Sequence, residues 1–186
     1  MSPILWLLIP ILSIFNVKIR HHLLNQKSSI ENVKKKIINK NENVPIIHFH
    51  AASAGEFEQL KPILKKINRS NNFILVTFFS PTIYKLENKT NLADAVCYHP
   101  FDLPWEAYYF FKKLNIKYYI ITRNDIWPNH LYFAQKMNIK TILINANLYR
   151  SDDYTKKINI FILKSIFSKF DLILTGSYRL QQIITN

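Results

Sequence analysis

Glycine, cysteine and acidic residues are scarce in this chain of 186 residues. It has two glycines, Gly55 and Gly176, where about 7% of residues is usual, so a glycine-rich nucleotide-binding fingerprint is excluded. The single cysteine, Cys97, excludes an internal disulfide and a multi-cysteine zinc site, and fits a reducing compartment. Asp and Glu total 12 against 25 Lys and Arg, and the resulting net charge of +13 favours anionic partners such as phosphates, nucleic acid or lipid headgroups.

An uncharged apolar run from Pro3 to Val17 opens the chain and is followed at once by Lys18 and Arg20. The run is shorter than the ~20 apolar residues of a spanning helix, and a signal peptide carries its charges before such a run. We therefore expect a shallow or tilted anchor, with the basic residues on the cytoplasmic side of the membrane. The alternative is a core helix that packs on its own domain.

A short amphipathic helix with a basic side is predicted for residues 28–43. Its apolar positions are spaced as one helical face, and its basic side carries Lys34, Lys35, Lys36 and Lys40. Beside an anchor, such lysines bind anionic headgroups at ~1 kcal/mol each, whereas a merely solvated face is the alternative. Residues 1–43 are thus predicted to form a membrane-associated unit.

From Val44 onward, short β-rich runs alternate with helical stretches. The runs are Pro45–His50, Phe73–Phe78, Ala95–Tyr98, Tyr118–Thr122, Thr141–Asn145 and Leu172–Thr175. Several are continuous apolar segments, as expected when both faces of a sheet are covered. The alternation predicts a doubly wound parallel α/β sheet, and residues 44–186 contain no repeat or linker that would divide this domain.

The loop after the first strand has the composition of a ligand site. Ser53, Ala54 and Gly55 are small residues at a predicted helix start, where free N–H groups favour an anion and a ligand can approach the backbone. Glu56 follows in the first helical turn, where the helix dipole stabilises a carboxylate suited to act as a general base. The alternative is that Glu56 is an ordinary first-turn acidic residue without a chemical role.

The loops after the other strands hold further polar residues. Arg123, Asn124 and Asp125 cluster after a buried strand, as expected for ligand-facing groups, although pairing of Arg123 with Asp125 is the alternative. His48 and His50 share a strand face, but two histidines make a weak metal site, and structural roles are favoured. We therefore expect no metal and no cofactor.

Five motifs together resemble the 3-deoxy-D-manno-octulosonic acid (Kdo) transferases, and most closely their Bacteroidetes branch. They are HAASAGEFEQ, TFFSPTIY, CYHPFDLP, NDIWPN and ILINANLYR, in family order from Val44 to about Ser177. The resemblance implies the N-terminal, acceptor-binding Rossmann-like half of a GT-B glycosyltransferase, which transfers Kdo from CMP-Kdo to a lipid A precursor at the cytoplasmic face of the inner membrane. Glu56 falls on the glutamate thought to be the general base.

The resemblance also makes the strand-end residues candidates for acceptor binding. They are His50, Ser53, Ala54, Gly55, Ser80, Thr82, Arg123, Asn124, Asp125, Asn129, Asn147 and Arg150. Two departures stand out: residues 123–126 read Arg-Asn-Asp-Ile where many members have Glu-Thr-Glu-Leu, and Ile83 occupies a position where glycine is usual and is expected to crowd its loop.

Three functions remain open at this point. The sequence ends before a donor-binding domain, so the leading one is a Kdo transferase or its acceptor-binding half, with CMP-Kdo bound by a domain missing here. The second is a non-catalytic remnant or module that binds lipid A. The third, a basic nucleic-acid-binding α/β protein, rests on charge alone and shows no recognised motif, so no nucleic-acid partner is expected.

Overall fold

The computed structural model describes residues 11–40, 43–123, 125–146 and 164–185. Within these ranges the strands are β1 (Ile46–Ala51), β2 (Phe73–Phe78), β3 (Ala95–Tyr98), β4 (Ile116–Thr122), β5 (Lys140–Ala146) and β6 (Leu172–Thr175). The helices are α1 (Val17–Lys40), α2 (Ala54–Leu64), α3 (Pro81–Glu87), α4 (Pro104–Leu114), α5 (Pro128–Lys136) and α6 (Tyr178–Thr185). Residues 11–15 and 164–167 are also helical.

All the strands pair in parallel, in the order β3-β2-β1-β4-β5-β6. Parallel strands need crossover connections, and the connecting helices cover both faces of the sheet. The predicted doubly wound Rossmann-like sheet is therefore confirmed. The order reverses between β1 and β4, because β1 leads outward to β2 while β4 leads outward to β5, and this reversal defines where a ligand crevice opens.

The core has one apolar layer on each face of the sheet. On one face, Leu75 and Ile121 pack with residues of α1, α4 and α5, including Val33, Phe111 and Leu131. On the other face, alternate strand residues pack with α2 and α3. That layer includes Val76, Phe78, Phe57, Leu60 and Ile83. Because successive strand residues point to opposite faces, both layers draw on the same β2 run.

Helix α1 is longer than predicted and is part of the packed domain. It begins at Val17 rather than at residue 28, and Ile30, Val33 and Ile37 belong to the same core layer as the sheet. Its basic side is partly engaged, since Lys36 Nζ donates to the Asp94 carbonyl at 3.3 Å and Lys40 forms an ion pair with Asp94 at 3.0 Å. The division of the chain at residue 43 stays a prediction.

The segment before α1 is only partly described, because Pro3 to Pro10 of the predicted anchor lie outside the described residues. Residues 11–15 are helical and present Ile14 and Phe15 to solvent at 67% and 82% exposure. Across the described part of the chain, we find no helix with the length and apolar character needed to cross a bilayer.

Candidate functional site

The candidate site lies at the carboxyl edge of β1 and β4. These two strands are hydrogen-bonded neighbours, paired from Ile46 opposite Ile116 to His50 opposite Ile121. The chain leaves β1 toward α2 and leaves β4 toward α5, on the two sides of the order reversal. Open parallel sheets bind their ligands in the crevice at this place. Two of the predicted polar loops therefore meet where the topology expects a site.

Glu56 is positioned by two hydrogen bonds at the start of α2, one to Ser53 and one to Ala52. Ser53 is the N-cap residue, and its Oγ accepts from the Glu56 N–H at 3.4 Å. The Glu56 side chain turns back, and its Oε2 accepts from the Ala52 N–H at 2.6 Å. The Ser53 contact satisfies one of the donors that a helix start leaves unpaired, and the Ala52 contact ties the Glu56 side chain to the end of β1. Glu56 thus has a capping role through Oε2 while its side chain remains partly exposed.

The surface around the helix start is open. Ser53, Ala54 and Gly55 are exposed, and a Cβ added at Gly55 would meet nothing within 4 Å. Gly55 does not have a positive φ, so neither backbone conformation nor packing within the described residues requires glycine there. The small residues therefore keep a low surface beside Glu56 that a ligand can approach.

His50 and Asp125 are brought together across the β1–β4 edge. His50 is fully buried, and its Nε2 lies 2.6 Å from Asp125 Oδ2. The same oxygen accepts from Trp127 Nε1 at 3.0 Å, while Thr77 Oγ1 lies 2.9 Å from His50 Nδ1. Asp125, one quarter exposed, therefore faces the crevice with His50 behind it. Sequence analysis selected both residues but not their pairing.

Arg123 forms the turn that ends β4. Its φ of 60° lies in the left-handed region, and its N–H donates to the Ile144 carbonyl at 2.8 Å. Its side chain is partly buried. Arg123 therefore lies at the edge of the crevice. It occupies the position where many members of the family that the motifs resemble have a glutamate. Asn124, Asn147 and Arg150, also predicted as acceptor-binding residues, lie outside the described residues.

Asn129 is held by Asp102, a residue that sequence analysis missed. The Asn129 N–H donates to Asp102 Oδ1 at 3.0 Å, and its side-chain amide donates to the Asp102 carbonyl at 2.7 Å. Asp102 is 4% exposed and accepts a third donor, the His130 N–H, at 3.1 Å. The N-cap residue of α5, Trp127, has no side chain that can accept the free N–H groups of the helix start. This lack was the one sequence signal that an acidic residue from another loop would cap α5.

A group of buried histidines lies beneath the site. The ring of His99 is centred 4.0 Å from that of His50 and 4.3 Å from that of His130, and His48 lies 5.9 Å away. Burial, with a smaller contribution from neighbouring imidazoles, lowers the pKa of His48 and His99 well below the ordinary value of 6.5. Burial also lowers the pKa of His130. His48, His99 and His130 are therefore neutral packing elements at physiological pH.

Ser80 and Thr82 lie at the start of α3, directly after the carboxyl end of β2. Ser80 is the N-cap of α3 and is partly buried, whereas Thr82 is exposed. Ile83 is 4% exposed and packs into the core layer with α2. Its side chain therefore points inward, so the expected crowding of the loop surface does not occur. Among the described residues, no three histidine, cysteine or acidic side chains are arranged to hold a metal ion.

Comparisons with known proteins identify the domain. Residues 25–184 match the family model for 3-deoxy-D-manno-octulosonic-acid transferase (kdotransferase), N-terminal glycosyltransferase domain. The transferase of that name from Aquifex aeolicus is 33% identical over 126 residues, which cover 67% of this chain and 32% of the relative. The one from Haemophilus influenzae is 30% identical over 106 residues, covering 55% of this chain and 25% of the relative.

A third transferase of the same name, from Chlamydia muridarum, is 27% identical over 135 residues, which cover 69% of this chain and 31% of the relative. The chain thus spans between a quarter and a third of the length of these relatives. The match extends from within α1 to the end of α6 and so includes every strand of the sheet. The resemblance expected from the five motifs is confirmed, and the chain belongs to the Kdo transferase family, of which it contains the N-terminal domain.

Proposed function

We propose that this chain is the acceptor-binding half of an enzyme that transfers Kdo from CMP-Kdo to a lipid A precursor in lipopolysaccharide biosynthesis. The observation that carries the proposal is the position of Glu56, at the carboxyl edge of β1 beside the order reversal of the sheet. Its carboxylate stands next to an open surface of small residues, which suits an acceptor sugar. Membership of the family gives the chemical class of the reaction.

In the proposed mechanism, Glu56 is the general base. Its Oε2 is held by the Ala52 N–H, and we assign proton abstraction to Oε1. The acceptor hydroxyl gives its proton to this oxygen while the hydroxyl oxygen attacks the anomeric carbon of Kdo. The bond from that carbon to the phosphate breaks, and CMP leaves with the electron pair. Asp125 accepts a hydrogen bond from a second acceptor hydroxyl, which orients the sugar.

The donor is assigned to a second domain. In a transferase of two Rossmann-like halves, the nucleotide sugar binds the other half and reacts across the cleft. Here Glu56 and Asp125 both lie at the edge of the sheet that would face that cleft. The net charge of +13 suits a phosphorylated lipid acceptor and an anionic surface around it.

We place the protein at the cytoplasmic face of the inner membrane. The support is a run of exposed apolar residues, including Ile14, Phe15 and Val17, that is followed by Lys18 and Arg20. Apolar side chains next to cations suit the boundary between acyl chains and anionic headgroups. Sedimentation with phosphatidylglycerol vesicles tests this: Phe15→Ser should release the chain, whereas Leu86→Ser, which alters another largely exposed apolar residue on α3, should not. Equal binding by both variants would contradict the placement.

The transfer reaction is tested directly with freshly generated CMP-Kdo and a lipid A precursor in membranes, with and without a donor domain supplied. Glu56→Gln should lower the transfer rate by at least about 10²-fold, the usual contribution of a general base. The matched control is Glu58→Gln, two residues further along α2, where the side chain is 65% exposed and paired with Lys61. The control should transfer at the rate of the unaltered chain.

Two results would overturn the proposal in different ways. Full transfer by Glu56→Gln would remove the base assignment while leaving the reaction in place. Saturable binding of the precursor without transfer, even when a donor domain is supplied, would favour a non-catalytic lipid A-binding module.

A further inference from the structure

The pair formed by His50 and Asp125 belongs to a longer chain of hydrogen bonds inside the sheet. His48 Nε2 lies 2.7 Å from Thr77 Oγ1, and Thr77 Oγ1 lies 2.9 Å from His50 Nδ1. His50 Nε2 then lies 2.6 Å from Asp125 Oδ2. His48, Thr77 and His50 are all completely buried, whereas Asp125 reaches the crevice. The chain therefore runs from the core to the candidate site.

The number of available hydrogens determines which atom donates in each of these hydrogen bonds. A carboxylate only accepts, so His50 Nε2 must carry its hydrogen and donate to Asp125. In neutral His50 the other nitrogen, Nδ1, is then an acceptor, and the Thr77 hydroxyl donates to it at 2.9 Å rather than to the Phe49 carbonyl, which lies farther away at 3.5 Å. Thr77 has one hydrogen, so its oxygen can satisfy His48 only by accepting from His48 Nε2.

The surroundings of the second ring nitrogen of His48 are consistent with this assignment. His48 Nδ1 is buried and has no hydrogen-bond partner among the described residues. In the assigned state it is a bare lone pair, which is less costly to bury than an unpaired N–H group. The reverse direction would place the lone pair of His50 Nε2 against the Asp125 carboxylate.

One oxygen of Asp125 has no donor among the described residues. His50 and Trp127 both donate to Oδ2, and no donor from the described residues reaches Oδ1. Two donors on one oxygen fix the rotation of the carboxyl group. Oδ1 is then held in a constant position at the crevice, where it can accept a hydrogen bond.

We propose that His50 is a positioning residue that acts through Asp125: the chain His48–Thr77–His50 holds the Asp125 carboxyl group so that Oδ1 receives a hydroxyl of the acceptor sugar. This inference rests on the proposed function, because it takes the acceptor to be a hydroxyl-bearing sugar. It gives a buried histidine an indirect role in acceptor affinity, whereas sequence analysis took a structural role from the strand pattern and acceptor binding from the family resemblance.

The first test compares two replacements of His50 in this chain, with affinity for a short-chain lipid A precursor as the readout. His50→Gln keeps an N–H near the position of Nε2, and His50→Leu removes it. We expect Leu to weaken binding by about tenfold or more, as for the loss of a hydrogen bond to a charged group, and Gln to stay within about threefold. A purely structural role predicts the reverse order, because a buried amide disturbs an apolar core more than leucine does.

The second test is a double-mutant cycle with Asp125→Asn. If His50 acts through Asp125, His50→Leu should change the affinity little further once Asp125→Asn is present. Independent, multiplying effects would overturn the proposal. Thr77→Val should also weaken binding. The matched control is Thr141→Val, which removes a buried strand hydroxyl that is not part of the His48–Thr77–His50 series and donates to the Lys169 carbonyl at 2.9 Å.

A third measurement does not depend on any substrate. Long-range ¹H–¹⁵N spectra of the imidazole groups report which nitrogen carries the hydrogen. We expect the Nε2–H form for both His48 and His50. An Nδ1–H form of His50 would overturn the proposed hydrogen-bond series from His48 to Asp125. Failure of the unaltered chain to bind the precursor would count against the proposed function, whereas binding with equal losses for Leu and Gln would count against the positioning role alone.

Discussion

Asp102 and His130 form a buried pair that joins two loops of the functional edge. His130 Nδ1 lies 3.0 Å from Asp102 Oδ1, and the two side chains are 0% and 2% exposed. The same carboxylate accepts the N–H groups of Asn129 and His130, the first free donors of α5. The loop after β3 is thereby fixed to the helix that follows β4. The loop carrying Asp125 and Trp127 therefore ends at a fixed point.

We expect Asp102→Ala to lower the free energy of unfolding by about 3 kcal/mol or more. The substitution leaves two backbone donors and a buried imidazole without their acceptor, which is the costly way to break such a pair. Urea unfolding measures the loss. The control is Glu58→Ala, which removes an exposed acidic residue and should change stability by less than about 1 kcal/mol. If Asp102→Ala were as stable as the unaltered chain, the start of α5 would not depend on Asp102 for its stability.

The sheet was predictable because its strands are short, continuous β-rich runs in the sequence. β2, β3 and β6 have the predicted bounds, and each is a short β-rich run that directly follows a polar residue. β4 begins earlier than predicted, at Ile116, because Asn115 adopts a left-handed φ of 49° and ends α4 abruptly.

The site was predictable in its loops but not in its contacts. The motif HAASAGE located Glu56 because a strand, small residues and a helix start follow one another in sequence. The pairing of His50 with Asp125 joins residues 75 positions apart. Only the order of strands places them together, and local patterns do not give that order. The same reason hid Asp102, whose partners lie on a distant helix start.

The buried histidines make the fold sensitive to acid. Burial lowers the pKa of His22, His48, His99 and His130 below the ordinary value of 6.5, so these rings stay neutral when folded. On unfolding below pH 6.5 they take up protons, and stability therefore falls as the pH decreases from 6.5 toward their folded pKa values. Each contributes up to about 1.4 kcal/mol per pH unit. Burial raises the pKa of Glu106, which acts in the opposite direction nearer pH 4.5.

Urea midpoints measured at pH 8, 7, 6 and 5 should therefore stay level at first and then decline below about pH 6.5. His48→Leu should reduce the steepness of that decline, because one titrating ring is removed, whatever its effect on stability at pH 8. A stability that is constant from pH 8 to pH 5 would show that these rings take up protons as readily in the folded protein as in the unfolded chain.

Gly55 should be dispensable for folding and important for acceptor binding. Gly55→Ala adds a methyl group that meets no protein atom within 4 Å, at a φ that is not positive, so stability should stay level or rise by less than about 1 kcal/mol. If an acceptor lies against this surface, the methyl group should weaken its binding by about tenfold. Gly176→Ala, which also meets nothing within 4 Å, is the matched control and should leave affinity unchanged.

Helix α1 should contribute to the stability of the sheet rather than form an independent unit. Val33 is 1% exposed and lies in the same core layer as Phe73 and Ala95, so Val33→Ala should lower the free energy of unfolding by about 2 kcal/mol. Ile38→Ala, on the exposed face of the same helix at 58% exposure, should change it by less than about 0.5 kcal/mol. If residues 1–43 folded apart from the sheet, neither variant would shift the unfolding transition of the domain. With Trp6→Phe introduced into every variant, urea unfolding followed by tryptophan fluorescence distinguishes the two cases, because the remaining Trp105 and Trp127 report on the domain itself.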